Sequence, residues 1–181
     1  MKGVVFSLFI EMMEEEFSPE IADDVIESCN LESEGAYTSV GTYDHVELLK
    51  LVTKLSTKVN TPTHKLVRAY GEFLLSRFVE LYPTFFENKP SMFDFLLAIE
   101  NHVHVEVQKL YPDAELPHFK TNLINQTRLD MEYISLRPFA DLAEGLIRGC
   151  ADFYRQNIVI EKTDLSDGAC KHVLFTIQLK E

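Results

Sequence analysis

The chain has 181 residues, 46% hydrophobic and 25% charged, with 17 Lys+Arg against 29 Asp+Glu and a formal net charge of −12. That length and apolar content suit one compact domain with a substantial core, and they exclude disorder, collagen and a disulfide-stapled miniprotein. The negative balance argues against a nucleic-acid partner, whose phosphates need a basic patch.

Residues 3–17 place Val5, Leu8, Phe9 and Met12 or Met13 at helical spacing. The apolar run Val4–Ile10 is too short for a membrane span and lacks the flanks of a signal peptide, so no membrane insertion is expected. Ser18-Pro19-Glu20 starts a second helix, with Ser18 as N-cap and Pro19 at the first position. No Lys or Arg occurs between Gly3 and Leu49, a stretch that holds twelve acids, Glu14, Glu15 and Glu16 among them. Such a stretch is either a solvated face or a docking surface for a basic patch, weakened by salt. Leu31–Tyr43 reads as a loop. Asp44 caps a helix carrying Val46, Leu49, Leu51, Val52 and Leu55. After Thr61-Pro62 a long helix runs to about Tyr82, with Leu66, Val67, Tyr70, Phe73, Leu74 and Phe78 spaced for burial.

Pro83 and Pro90 bracket a connector, and residues 91–111 form one helix with the stripe Met92, Leu96, Ile99, Val103, Val107 and Leu110. Beyond Pro112 and Pro117 the period becomes alternating. Residues 118–123 and 127–137 form a hairpin turning near Asn125-Gln126. Pro138 suits the first turn of a helix over Phe139–Gln156. Asn157–Lys162 and Cys170–Leu179 form a second strand pair joined around Ser166-Asp167-Gly168. Gly145 and Gly149, four apart in the helix, imply close approach of another surface, with the sheet favoured over a bound cofactor. The expected class is α+β, helical first and mixed afterwards.

The nucleophile elbow, the phosphate-binding Gly-rich loop, HExxH and the EF-hand loop are all missing, so the chain does not read as an enzyme. Cys29, Cys150 and Cys170 are odd in number and far apart, which points to a reducing cytoplasm. Cys150, Cys170 and His172 lack the fourth ligand of a closed zinc site. His102 and His104 lie about 200° apart on a helix and cannot share one metal. Each is either a partly buried, hydrogen-bonded histidine or a single imidazole ligand to a haem iron. Tyr133, Ser135 and Arg137 alternate on one strand face about 7 Å apart. They form a row of donors suited to two carboxylates or, more blandly, a solvated face.

These residues together resemble the haem nitric oxide/oxygen-binding (H-NOX) domains, the family that includes the haem domain of soluble guanylate cyclase. The resemblance rests on Tyr133-x-Ser135-x-Arg137 downstream of His104 and of Pro117, thirteen residues beyond it. Met1-Lys2-Gly3, Ala69-Tyr70-Gly71-Glu72 and Val107-Gln108-Lys109-Leu110-Tyr111-Pro112 extend it along the whole chain. It implies a single domain over 1–181: a helical N-terminal lobe (1–61) packed on a haem-binding α+β lobe (62–181) with an antiparallel four-stranded sheet.

The resemblance also implies haem b (iron protoporphyrin IX), with His104 as iron ligand and His102 as an ordinary partly buried histidine. Tyr133, Ser135 and Arg137 would clamp the propionates, and Pro117 would press on the porphyrin. The gas pocket would be walled by Val5, Phe9, Leu74, Phe78, Leu142 and Leu146. Leu142 stands where the dioxygen-binding branch has a tyrosine, which favours nitric oxide, with carbon monoxide as a further ligand. Nitric oxide would release His104, relax the haem against Pro117 and displace the N-terminal lobe. In 181 residues no output domain is expected, so the signal would pass to a separate histidine kinase or cyclic-di-GMP enzyme, as for stand-alone bacterial members. The alternatives are a dioxygen-binding haem sensor, a haem peroxidase, or a haem-free protein-interaction module.

Overall fold

The computed structural model describes residues 1–168 and 170–180, and Ala169 and Glu181 lie outside the described residues. In chain order it holds α1 (Gly3–Glu16), α2 (Pro19–Ser28), α3 (His45–Val59) and α4 (Thr63–Leu81). A 3-10 turn (Pro83–Phe85) then leads to α5 (Met92–Ala98), a π-helical turn (Ile99–Val103) and α6 (His104–Leu110). The remainder is β1 (His118–Asn125), β2 (Arg128–Ser135), α7 (Ala140–Phe153), β3 (Ile158–Asp164) and β4 (Lys171–Leu179). The class is α+β, as the patterning predicts.

Local chemistry sets the helix ends. Ser18 Oγ accepts a hydrogen bond from Ile21 N at 3.3 Å, and Pro19 follows it at the first helical position. Asp44 accepts from Val46 N at 2.9 Å to open α3. Asn60 closes that helix at φ 49°, a left-handed geometry that a short polar side chain tolerates.

Two buried clusters meet at α4. The first joins α1, α2, α3 and most of α4, around Phe6, Phe9, Met13, Leu51, Leu55 and Tyr70. The Tyr70 hydroxyl donates to the Val5 carbonyl and ties α4 to α1. The second lies on the sheet, which is antiparallel in the order β1-β2-β4-β3. Alternation in β2 and β4 buries Leu129, Met131, Tyr133, Val173, Phe175 and Ile177 against α5 and α7.

Three expectations need correction. Residues 91–111 are not one helix: a π turn at Ile99–Val103 separates α5 from α6. The expected stripe is buried at Met92 and Leu96, but Ile99, Val103, Val107 and Leu110 line a cavity instead. Gly145 and Gly149 face α4, not the sheet. A Cβ on Gly145 would lie 2.0 Å from Arg68 O and 2.8 Å from Gly71 Cα, so the glycines let two helix backbones touch. Pro138 is not in the first turn of α7, because Phe139 is the N-cap and the helix begins at Ala140.

Candidate functional site

Between the two clusters lies a cavity of about 700 Å³. Its wall draws on α1, α4, α5, the π turn, α6, the loop 111–117, β1, β2 and α7. Most of the lining is apolar.

His104, at the start of α6, lines this cavity with a side chain only 16% exposed. Its Nδ1 lies 3.1 Å from Glu100 Oε2, and its Nε2 has no hydrogen-bond partner among the described residues. Burial pushes its pKa below the ordinary value, against the raising effect of Glu100. The imidazole is therefore neutral at neutral pH, the protonation state a metal ligand needs. Burial alone would raise the Glu100 carboxyl, but bonds from His118, the Phe119 amide and His104 hold it below its ordinary value. His102 is exposed, not partly buried as expected, and does not line the cavity. The π turn rotates it outward while His104 turns in.

Tyr133, Ser135 and Arg137 all reach the cavity. Two of them also shape the backbone there. The Tyr133 hydroxyl donates to Arg137 O at 2.9 Å, and Ser135 Oγ accepts from Arg137 N at 3.0 Å. The Arg137 guanidinium donates to Glu115 O at 3.2 Å and to the Glu115 carboxylate. It thus already grips a carboxylate at the cavity edge. Pro117 lines the same wall, beside Leu116 and Phe119.

Val5, Leu74, Phe78, Leu142 and Leu146 line the cavity, and none can donate a hydrogen bond from its side chain. Phe9 does not join them. It is fully buried, its ring centroid 5.0 Å from that of Tyr70, because α1 turns that face into the first cluster. Among the tyrosines on the wall, Tyr43 accepts from Thr38 N at 2.9 Å, while Tyr82 and Tyr111 hydroxyls pair at 3.4 Å. Sequence reasoning missed Tyr82, Tyr111 and Glu100. Glu100 had a visible signal, its i,i+4 spacing to His104. Of the zinc candidates, Cys150 is buried in the sheet-side cluster and His172 Nε2 lies 2.8 Å from Glu132.

An apolar slot with one neutral imidazole and a guanidinium at its edge fits haem, a flat apolar ring with two carboxylates. The neutral ring nitrogen left without a protein partner and the carboxylate-gripping fork are the features that make the fit specific.

The class is thus a haem-binding sensor fold. The haem-NO-binding family matches residues 2–162, and the chain belongs to this H-NOX family of haem-based gas sensors. Among solved structures, the iron(II) unliganded H-NOX protein from K. algicida is 34% identical at a TM-score of 0.92, covering 100% of this chain and 97% of its own. The H-NOX protein from S. oneidensis in the Fe(II)NO state is 26% identical at 0.90, with full coverage of both chains. The IWP-051-bound H-NOX from Shewanella woodyi in the Fe(II)CO state is 43% identical at 0.83, covering 98% of this chain and 94% of its own. No curated protein sequence matches significantly. Among the described residues, no helix is long and apolar enough to cross a membrane.

Proposed function

We propose that this chain is a cytoplasmic nitric oxide sensor carrying haem b, with His104 as the iron ligand. The observation that carries the reading is His104, its side chain 16% exposed and its Nε2 unpartnered among the described residues, on an apolar cavity that has Ser135 and Arg137 on its wall. When bound, the haem would supply a ferrous iron able to take a diatomic gas.

The residues divide the work. His104 would offer Nε2 to the iron, while Glu100 holds Nδ1 at 3.1 Å. Arg137, which now holds Glu115, would hold a propionate in its place, with Ser135 as a further hydroxyl donor and Tyr133 bracing the turn that presents them. Pro117 would pack against the ring from the wall it shares with Phe119. Val5, Leu74, Phe78, Leu142 and Leu146 keep water out and offer no donor. That wall withholds the roughly 1.5–3 kcal/mol a charge-assisted hydrogen bond would give bound dioxygen, about one to two decades in affinity. Nitric oxide and carbon monoxide depend less on such a bond.

Binding of nitric oxide would weaken the hold on His104, which sits at the start of α6, and would be felt at Pro117 on the same cavity wall. The N-terminal lobe (1–61) would then shift on the rest (62–181). That is a two-state element biased by a ligand. The chain needs no catalytic step of its own. A histidine kinase or a cyclic-di-GMP enzyme receives the signal, by likeness to the stand-alone bacterial members.

The test is the ultraviolet–visible spectrum of the purified ferrous protein with and without nitric oxide. A Soret band should appear, shift with nitric oxide, and vanish in His104→Gly unless imidazole is supplied. A wild-type protein still colourless after haem reconstitution refutes the proposal. A lasting oxygenated spectrum in air refutes the Leu142 argument and favours the dioxygen reading.

A further inference from the structure

Glu100 is the least expected feature beside the cavity, behind the His104 that lines it. It stands in the π turn one position into Ile99–Val103, four residues before His104. Its carboxylate takes three donors or partners: His104 Nδ1 at 3.1 Å, the Phe119 amide at 3.0 Å and His118 Nδ1 at 3.0 Å. Two of these come from the start of β1, just beyond Pro117. The carboxylate thus stitches the histidine to the sheet edge. The π turn is what makes the stitch: its extra residue opens the helix there, where such turns concentrate at functional sites.

A carboxylate accepting the second ring proton of a metal-bound histidine fixes the ring's tautomer and orientation and raises the basicity of the bonding nitrogen. A more basic Nε2 binds iron more strongly and lets go less readily. The other two donors draw on the same charge. Phe119 N shares Oε2 with His104, and His118 takes Oε1. The grip on His104 is therefore graded, and it depends on how the carboxylate is shared.

We propose that Glu100 is a positioning residue that sets the strength of the His104–iron bond and hence how readily nitric oxide detaches His104. This rests on the haem reading above. It makes the nitric oxide threshold a property of a residue outside the cavity, one that touches neither haem nor gas.

The experiment is the resonance Raman iron–histidine stretch of the ferrous haem-loaded protein, alongside the rate of His104 detachment after mixing with nitric oxide. Glu100→Gln should lower the stretching frequency and speed detachment about tenfold, at the low end for lost outer-shell partners. His118→Ala should do the opposite. That side chain is 77% exposed, and removing it frees the carboxylate for His104. Opposite shifts are not produced by a general loss of packing. Should Glu100→Gln lose haem, the upward shift in His118→Ala carries the decision alone. Unchanged frequencies in variants that hold haem overturn the proposal and leave the haem reading intact. A wild-type protein that never binds haem overturns the haem reading itself.

Discussion

Replacing Gly145 by Ala puts a methyl group where α7 has no room for one. The added Cβ would sit 2.0 Å from Arg68 O, 2.8 Å from Gly71 Cα and 2.9 Å from Arg68 C. These are backbone atoms of α4, so no side-chain rotation clears them and the helices must part by about an ångström. A gap of that size forfeits a quarter to a half of each affected dispersion contact. Overpacking of this kind costs about 1–3 kcal/mol, while Ala over Gly in a helix returns at most about 1 kcal/mol. A 2.0 Å approach to backbone belongs at the upper end of that cost, about 3 kcal/mol, so the net destabilisation should be about 2 kcal/mol, or roughly 4–8 °C in Tm for a chain of this length. Gly149→Ala is the internal comparison, because its Cβ would meet Leu75 Cβ at 3.0 Å and Glu72 O at 3.1 Å. A few tenths of an ångström suffice there, and the helix propensity gain roughly offsets the crowding. Thermal and urea unfolding of the haem-loaded proteins measure the difference. A Gly145→Ala protein at least as stable as Gly149→Ala would refute the proposed contact between α4 and α7.

Three further outcomes follow from particular contacts. Glu144 is 4% exposed and its carboxylate meets Arg68 at 3.1 Å, Arg148 at 2.9 and 3.0 Å and Lys162 at 3.0 Å. Because those cations are about a third exposed, Glu144→Gln should cost about 1–3 kcal/mol in urea unfolding, less than a fully buried pair would. Asp113 is held at a pKa of about 2 by the Thr42 hydroxyl and then by Lys2. A depressed carboxyl contributes its stabilisation above the ordinary value of 3.8 and loses it as pH falls through about 2, so its carboxyl carbon shift should titrate there in wild type. Arg137→Leu removes the carboxylate fork, and haem loss to an acceptor protein should be faster, by about tenfold or more for one to two charge-assisted bonds.

The helices and strands were legible because their burial is periodic. Ser18, Asp44 and the change of period after Pro117 marked the boundaries well. The π turn was not legible, because Met92, Leu96, Ile99, Val103, Val107 and Leu110 are spaced four, three, four, four and three, which fits one unbroken α-helical stripe. The glycines showed that something comes close to α7. They could not show what, since Gly71 lies 74 residues earlier and helix pairing is a tertiary fact. Phe9 failed for a related reason. One helix face holds both Val5 and Phe9, but that face divides between the cavity and Tyr70, and periodicity cannot see the division. His104, Ser135 and Arg137 were legible as a set only through their likeness to a family. Spacing alone left His102 equally open.

The acidic N-terminal stretch also divides once its contacts are known. Glu47 is buried and accepts from Ser33 N at 3.1 Å, the Ser33 hydroxyl at 2.5 Å and the Tyr37 hydroxyl at 2.6 Å, pinning the loop 31–43. Glu11 and Glu15 pair with Arg77 of α4 at 2.7 and 2.5 Å, and Asp24 pairs with Lys58 at 2.5 Å. Those acids hold the N-terminal helices to one another and to α4. At the other end of the lobe, Lys2 meets Asp113 at 3.0 Å and Thr42 donates to Asp113 at 2.6 Å, in the loop that leaves α6. The two attachments differ in strength. Along α4 the lobe is held by the buried first cluster and the Tyr70–Val5 hydrogen bond, whereas at Asp113 it is held by exposed polar contacts that water can replace. Under the proposed mechanism, movement of α6 would reach the lobe first at the Asp113 clasp, with the α1–α4 packing as the pivot. Such coupling would need no deformation of either core, only the exchange of one clasp for solvent.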